Sequence, residues 1–486
     1  KEELIPHIDK KYPTNKENNI LYGTSLGGLF SIYAYLNEAT VFKSYLTVEP
    51  SLWWDKQFIN RIASENLSKI KGIKNTLWIG SRDGSALDEM GISKFESILK
   101  SNSPEGLSWL TQAYPNETHF SAIWKGIYDG LKYSYVFSKS DKKLINRANA
   151  PNKFRLENGS YISFSNMDTF LKSQMDSLNI PGLSFAIIND DQVIYHKNLG
   201  VTNMDTKEPV TNETIFDAAS MTKTPFALMV LRMVEKGILD LDKPLYTYLP
   251  NADIAQDDRY KLITARMVLS HTTGFPNWRF FNKDGKLDIK FTPGTKYLYS
   301  GEGYEYLADV LAHQLKISKN DLQEIFNKEI GEPLAMNKTY FTWNDWVKKR
   351  RAAGHVDGKV SDGYGITESK PDFYASYSMQ TEALNYAKLI ISIMKEELLQ
   401  KSSYNEMLKV QYPTASDSPN SQWGLGIGIR ESDNGVEYYH NGFNSNFTSD
   451  FMFNKEKRFG YVFFTNCNKG GALTRSLLSL FKESIK

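Results

Sequence analysis

Short apolar segments alternate with amphipathic ones over the first 137 residues. Apolar runs of the strand type occur in NNILYG, FKSYLTVEP, NTLWIGS and LSWLTQAYP. Helical spacing of apolar positions occurs in EELIPHIDKKY and SLGGLFSIYAYLN, and again at about 56–71, 89–102 and 122–136. This alternation predicts a parallel sheet with helices on both faces.

The pattern changes after a polar, basic segment at 138–160, which lacks periodicity and which we interpret as a linker. An amphipathic helix at 165–178 then precedes two apolar runs around NDDQ, which predict a hairpin. Helical patterns follow at 222–236, 302–315, 322–330, 381–399 and 470–484, with late strands at WGLGIGIR, EYYHNG, TSDFMFNKE and FGYVFFTN. Strands at both ends with helices between them predict one antiparallel sheet plus a helical region. We therefore expect two domains, 1–137 and 161–486, and see no internal repeat.

Composition excludes several function classes. The 486 residues include 58 basic and 56 acidic side chains, and the net charge of +2 gives no field that attracts nucleic acid or an anionic membrane. No apolar run approaches the roughly 18 residues of a membrane helix. Cys467 is the single cysteine, so no intrachain disulfide can form. No His or Cys grouping has ligand spacing, so neither a metal nor a cofactor is expected. The segment that begins at Lys1 has the pattern of the middle of a domain, so we expect the natural chain to start further upstream.

A serine with the surroundings of a hydrolase nucleophile occurs early in the chain. Ser25 lies in Gly-Thr-Ser-Leu-Gly-Gly, between an apolar strand and a helix rich in small residues, as in the G-x-S-x-G nucleophile elbow. Asp83 follows the strand TLWIG, and His119 follows the strand that ends near Tyr114. The order Ser, Asp, His is the order of α/β-hydrolase triads, with Asp88 as a second candidate for the acid.

The strings YGTSLGGLF, EPSLWWD, IGSRDG and NETHFSAIWKGIYDGLKY resemble the esterase branch of the α/β-hydrolases, which includes enterochelin esterases and esterase D. The resemblance implies Ser25 as nucleophile, Asp83 as acid and His119 as base. Only 24 residues precede Ser25, whereas each parallel neighbour strand needs a crossover of about 30 residues. We therefore expect a truncated sheet that lacks the loop with the second oxyanion donor, and a site that is inactive.

A second serine is followed three residues later by a lysine. The S-x-x-K spacing alone means little, because it also occurs at Ser68/Lys71, Ser97/Lys100, Ser140/Lys143 and Ser392/Lys395. Ser220, however, follows the extended run TIFDAAS and begins a strongly patterned helix. Lys223 projects from the same helical face, so its amine can reach the serine oxygen. If burial lowers its pKa, the amine can accept the proton; the alternative is a helix-capping serine with a solvated lysine.

The segments FDAASMTKTPFALMVLRMVEKGILDLDKPLYTYLP, ITARMVLSHTTGFP, FTPGTKYLYSGEGYEYLADVL and YYHNGFNSNFTSDFMFNKEKRFGYVFFTN resemble the class C β-lactamase-related family. That family contains β-lactamases, D-Ala-D-Ala carboxypeptidases, D-aminopeptidases and esterases of one fold. The resemblance implies an acylated Ser220 with Lys223 as its proton partner, and Tyr299 as the proton shuttle to the leaving group. It also implies His440 and Gly442 in the strand lining the cleft, and an oxyanion hole from the N–H groups of Ser220 and Phe443.

One position departs from the family pattern. Gly301 replaces the loop asparagine whose side chain would bind the acyl amide of β-lactams and peptides, and an unpaired amide costs about 1–3 kcal/mol. His440 in place of lysine also weakens a fixed positive charge. We therefore rank substrates as small esters, then short D-amino-acid peptides, then β-lactams, with esterase activity at Ser25 or a penicillin-binding sensor without turnover as alternatives. His271 is interpreted as structural, and the resemblance implies a periplasmic or secreted protein of unspecified oligomeric state.

Overall fold

The computed structural model describes residues 2–12, 14, 19–82, 86–114, 117–139, 153–361, 367–414 and 421–482. The chain divides into two compact units, residues 1–151 and 152–486. The second unit begins before the end of the expected linker, whose residues 140–152 lie outside the described ones. Lys153–Arg155 forms a strand, and Phe154 and Leu156 are buried in the core of that unit. These apolar positions were obscured by the polar residues around them.

A four-stranded parallel sheet with helices on both faces forms the first unit, which confirms the predicted class. The strands, in chain and spatial order, are β1 (Ile20–Thr24), β2 (Ser44–Val48), β3 (Asn75–Arg82) and β4 (Leu107–Tyr114). The helices are α1 (Leu4–Lys11), α2 (Leu26–Glu38), α3 (Trp54–Asn66), α4 (Ala86–Glu89), α5 (Ile92–Asn102) and α6 (Ser121–Lys139). Apolar side chains of α2, α3 and α5 form one core, and those of α6 pack with Leu46 and Trp78 in another. Among the described strands β1 pairs with β2 alone, so Ser25 follows an edge strand.

An eight-stranded antiparallel sheet forms the centre of the second unit, and its strands come from both ends of the unit as predicted. In spatial order they are β13 (Tyr412–Pro413), β14 (Ser421–Trp423), β15 (Gly428–Ser432), β16 (Gly435–Phe443), β17 (Thr448–Asn454), β18 (Phe459–Thr465), β7 (Gly182–Asn189) and β8 (Gln192–Gly200). The short pairs are β5 (Lys153–Arg155) with β6 (Tyr161–Ser163), β9 (Phe216–Asp217) with β12 (Gln380–Thr381), and β10 (His355–Val356) with β11 (Lys359–Val360).

The helices of this unit cover both faces of the sheet. They are α7 (Phe164–Leu178), α8 (Lys223–Glu235), α9 (Ala265–Leu269), α10 (Gly301–Leu315), α11 (Leu322–Phe326), α12 (Asp345–Arg350), α13 (Ala383–Lys395), α14 (Lys401–Leu408) and α15 (Gly470–Lys482). Helices α7 and α15 pack on one face and the helical region, with α8, α10 and α13, on the other. Strands β7, β17 and β18 are consequently buried along their whole length, and this burial explains why β7 and β18 are mostly apolar.

Helices α8 and α11 depart from the sequence prediction at one end. The helix expected to start at Ser220 is preceded by a 3₁₀ turn, Ala219–Thr222, and the α-helix proper begins at Lys223. Helix α11 ends at Phe326 and continues as a π-helical turn, Asn327–Gly331. No helix in the described part of the chain has the length and apolar character needed to cross a bilayer.

Candidate active site

The turn that carries Ser220 is held in place by several hydrogen bonds. Ala219 has a φ of 46°, an uncommon conformation for a residue with a Cβ. The Thr222 hydroxyl donates to Ala219 O at 2.6 Å, and the Ser449 hydroxyl of β17 donates to Ala218 O at 2.7 Å. Strain of this kind persists only where the surroundings fix it, and it is frequent at active sites.

Lys223 is buried at the first turn of α8, with 1% of its surface exposed. Its Nζ lies 3.2 Å from Ser220 Oγ and donates to Ser376 O at 2.8 Å. Burial lowers the pKa of Lys223 from 10.5 to about 7, because the surroundings disfavour the charged form, and the negative charge of Glu305 opposes this shift. The amine is therefore substantially neutral near pH 7 and within reach of the serine hydroxyl.

Glu305 of α10 fixes the carbonyl that holds this amine. Its Oε1 accepts hydrogen bonds from the Ser376 amide N–H, at 3.1 Å, and from the Ser376 hydroxyl. Lys319 forms an ion pair with Glu305 at 2.9 Å. The carboxylate thus positions Ser376, and Ser376 O in turn directs the Lys223 amine toward Ser220.

Tyr299 lies in the loop before α10, with its ring against the amine. The Lys223 Nζ is 4.8 Å from the centroid of this ring, within the range of a cation–π contact. Burial raises the pKa of Tyr299, and interaction with the Ser220 hydroxyl partly offsets the rise. The phenol therefore stays protonated at neutral pH. Its buried hydroxyl makes no regular hydrogen bond to a described residue.

Two buried histidines flank Tyr299. In β16, His440 Nδ1 lies 2.7 Å from Asn441 O, so this nitrogen carries the proton and donates it. Burial and then the nearby Lys223 lower the pKa of His440 to about 3, which leaves the ring neutral and Nε2 as an acceptor without a partner among the described residues. His271 packs 4.3 Å from the Tyr299 ring, and its Nδ1 accepts from the Ser300 N–H at 3.1 Å.

The end of β16 approaches the nucleophile turn closely. A Cβ at Gly442 would lie 2.1 Å from Ala218 O, so only glycine permits this approach. The next residue, Phe443, pairs with Thr448 of β17 and has 61% of its surface exposed. The strand end that carries Phe443 therefore lies beside the Ser220 turn.

The structure brings together Ser220, Lys223, Tyr299 and His440 from three distant parts of the chain. The sequence did not indicate Ser376, because its backbone carbonyl has no residue signature, nor Glu305, which occupies an ordinary position of an amphipathic helix. No group of three His, Cys, Asp or Glu side chains in the described residues could hold a metal ion.

In the first unit, Ser25 has the strained conformation of a nucleophile elbow. Its φ is 52° and its ψ is −119°, and the residue joins β1 directly to α2. Its Oγ lies 3.2 Å from the Ser51 Oγ. No hydrogen bond joins Ser25 to His119 among the described residues.

The carboxylate that meets His119 is Glu49, which the sequence analysis did not propose. Its Oε2 lies 2.9 Å from His119 Nδ1, and its oxygens also accept from Ser81 Oγ and Arg82. Burial alone would raise the pKa of Glu49, but the hydrogen bonds from Arg82, His119 and Ser81 hold it below its usual value. Asp83 lies outside the described residues.

Asp88, the second candidate for the acid, has no contact with His119 among the described residues. Asp88 is exposed on α4, and Glu49 occupies the position beside His119. Glu49 directly follows β2 at the carboxyl edge of the sheet, and that location was the available sequence signal.

Two family models match the chain. The model described as "Beta-lactamase" matches residues 167–478, more than half of the chain, and the model described as "Esterase" matches residues 1–93. Both matches agree with the resemblances drawn from the motifs.

Curated relatives and solved structures match mainly the second unit. Protein flp of Staphylococcus aureus strain MW2 is 22% identical over 320 residues, 62% of this chain and 63% of that protein. Penicillin-binding protein 4* of Bacillus subtilis is 28% identical over 199 residues, 37% of this chain and 42% of that protein. The chain thus spans less than two thirds of the length of these relatives.

Among solved structures, the octameric penicillin-binding protein homologue from Pyrococcus abyssi aligns with a TM-score of 0.55 at 21% identity, covering 66% of this chain and 77% of that one. The penicillin-binding protein from Bacillus halodurans aligns with a TM-score of 0.53 at 19% identity, covering 64% and 98%. These likenesses show the fold of the second unit. Together with the family match over residues 167–478, they establish that the chain belongs to the beta-lactamase family of serine hydrolases.

Proposed function

We propose that the second unit hydrolyses small carboxylic esters through an acyl-enzyme on Ser220. The observation that carries the proposal is the position of the Lys223 amine, 3.2 Å from Ser220 Oγ and with a pKa of about 7. A general base works best when its pKa lies near the working pH, since it is then both neutral and sufficiently basic. Tyr299 cannot take this role, because burial keeps its phenol protonated.

In the proposed reaction, the neutral Lys223 amine takes the proton of the Ser220 hydroxyl while the serine oxygen attacks the ester carbonyl. The resulting oxyanion accepts hydrogen bonds from the backbone N–H groups of Ser220 and Phe443. As the C–O bond breaks, the proton passes from the ammonium through the Tyr299 hydroxyl to the departing alkoxide. Water then attacks the acyl-enzyme while its proton travels the same path in the opposite direction, and the carboxylic acid is released.

His440 supports a neutral substrate. With Nδ1 donating to a carbonyl and a pKa of about 3, the ring carries no charge at neutral pH and offers only an acceptor lone pair. It therefore supplies no positive charge for a substrate carboxylate. Esters stand ahead of short D-amino-acid peptides for this reason, and peptides stand ahead of β-lactams.

Steady-state hydrolysis of p-nitrophenyl acetate and butyrate by the full chain tests the proposal. We expect multiple turnovers that disappear in Ser220→Ala and persist in Ser25→Ala. A single stoichiometric burst of p-nitrophenol would instead identify an acylated sensor. Loss of turnover in Ser25→Ala alone would move the chemistry to the first unit.

A second candidate function, ester hydrolysis in the first unit, is favoured by the strained Ser25 and by the contact of His119 with Glu49. Its test uses the Ser220→Ala chain. Residual hydrolysis that Ser25→Ala removes would support it, and complete inactivity of Ser220→Ala would reject it.

A further inference from the structure

Three aromatic residues pack against one another next to the start of α10. The Trp278 indole stacks on Phe280, with centroids 6.0 Å apart and planes within 8°, and meets the Tyr377 ring edge-on at 5.6 Å. Phe280 has 61% of its surface exposed, and the other two rings are half-buried. We call these three residues the aromatic wall.

Two members of the aromatic wall are linked to residues near the Lys223 amine. Tyr377 directly follows Ser376, whose carbonyl oxygen accepts from the Lys223 amine. Trp278 contacts Gly301, which lies two residues after Tyr299. Tyr377 is therefore next in the chain to a group that contacts the amine, and Trp278 contacts a residue two positions from another such group.

The indole occupies the space into which a side chain at position 301 would extend. A Cβ on Gly301 would lie 2.8 Å from Cη2 and 2.9 Å from Cζ2 of Trp278. Real Cβ atoms essentially never approach other atoms so closely, so an asparagine at this position requires the indole to move. Gly301 N instead donates to the Asn277 side-chain oxygen at 2.9 Å.

An ion pair fixes the segment that carries the wall. The Arg279 backbone N–H donates to Glu302 Oε1 at 2.9 Å, and its guanidinium pairs with Glu302 Oε2 at 2.8 Å. Glu302 is buried in the first turn of α10. The neighbouring Trp278 is thus anchored through backbone and side chain to the helix that begins at Gly301.

We infer that the aromatic wall is an acyl-binding subsite, and that it selects esters whose acyl group carries a neutral aromatic ring over those with a small aliphatic acyl group. The inference rests on the proposed function of Ser220. An indole face offers a flat apolar surface and ring stacking, and aromatic pairs of this kind change binding by roughly 2- to 10-fold. Gly301 has no side chain to bind a substrate amide, and the Trp278 indole fills the space where such a side chain would lie.

Two esters with one leaving group test the subsite in the full chain: p-nitrophenyl phenylacetate and p-nitrophenyl acetate. The quantity measured is the ratio of their kcat/KM values, since changes in the common chemistry cancel in it. In Trp278→Ala we expect the ratio to fall roughly 3- to 10-fold. The exposed Leu262, 49% accessible and outside the site, provides the control Leu262→Ala, which should leave the ratio unchanged.

Phe280→Ala keeps the test decisive if loss of the indole disturbs the fold, because this ring is mostly exposed. It should lower the ratio in the same direction, by roughly 2-fold or more. An unchanged ratio in both aromatic variants, with hydrolysis still dependent on Ser220, would overturn the subsite alone. Hydrolysis that survives Ser220→Ala undiminished would overturn the proposed function itself.

Discussion

Replacement of the buried Lys223 by methionine should abolish ester hydrolysis and stabilise the second unit. The lysine pKa is 10.5 in water and about 7 in the fold, and a tenfold change in a protonation equilibrium corresponds to about 1.4 kcal/mol. Because the folded pKa is the lower one, the unfolded chain binds more protons between these values, so wild-type stability rises with pH there. The buried lysine lowers the free energy of unfolding by about 4 kcal/mol at pH 7 and by about 1 kcal/mol at pH 9.5.

Methionine has nearly the same length and no charge, so it removes this penalty. It also loses the contacts of the amine with Ser220 and Ser376, about 1 kcal/mol each, which reduces the gain at every pH. The pH dependence survives that correction. The gain in free energy of unfolding should be about 3 kcal/mol larger at pH 7 than at pH 9.5.

Thiol labelling of Cys467 in increasing urea measures this difference. Cys467 is the single cysteine of the chain and is 1% exposed inside the second unit, so its labelling reports unfolding of that unit. The exposed Lys290 provides the control Lys290→Met, with an expected effect below about 0.5 kcal/mol at both pH values. A gain for Lys223→Met that is equal at pH 7 and 9.5 would refute the assignment of a buried neutral amine.

The kcat/KM of the wild type for a neutral ester should rise with pH through about 7 and level off above. Glu305→Gln should move this rise to lower pH, because the glutamate charge raises the pKa of Lys223. A rise at unchanged pH would contradict an effect of Glu305 on the Lys223 pKa. Gly301→Asn should lower the kcat/KM for esters. Adding Trp278→Ala to this variant should raise its kcat/KM by at least about 3-fold, since the obstructing indole is gone. No recovery would show that the indole is not the obstacle. Glu49→Gln should weaken the first unit by about 1–3 kcal/mol through its lost charged contacts, as hydrogen exchange of β3 would report, and unchanged protection would argue against it.

The sequence predicted the longer elements and their order because the two periodicities are clear, whereas short elements such as α9, α12 and α14 were not predicted. Strands β7 and β18 were recognisable as mostly apolar runs, and α8 as a helix next to a serine. The 3₁₀ turn at Ala219–Thr222 was not predictable, because it depends on Ser449 and other residues far along the chain that hold it.

The sequence predicted those residues of the candidate site whose side chains lie in a recognisable motif. Ser220, Lys223 and Tyr299 have such motifs. The Ser376 carbonyl and the Glu305 carboxylate act through tertiary contacts that no local pattern shows. In the first unit the same limitation concealed Glu49, whose role depends on His119, 70 residues away in the chain.

Intact-mass and peptide-mapping mass spectrometry of the full chain after reaction with a fluorophosphonate tests the central claim most directly. The account predicts one adduct per chain on Ser220, formed faster at pH 8 than at pH 6, absent in Ser220→Ala and retained in Ser25→Ala. An adduct found only on Ser25, or a Ser220 adduct that forms equally fast after Lys223→Met, would contradict it.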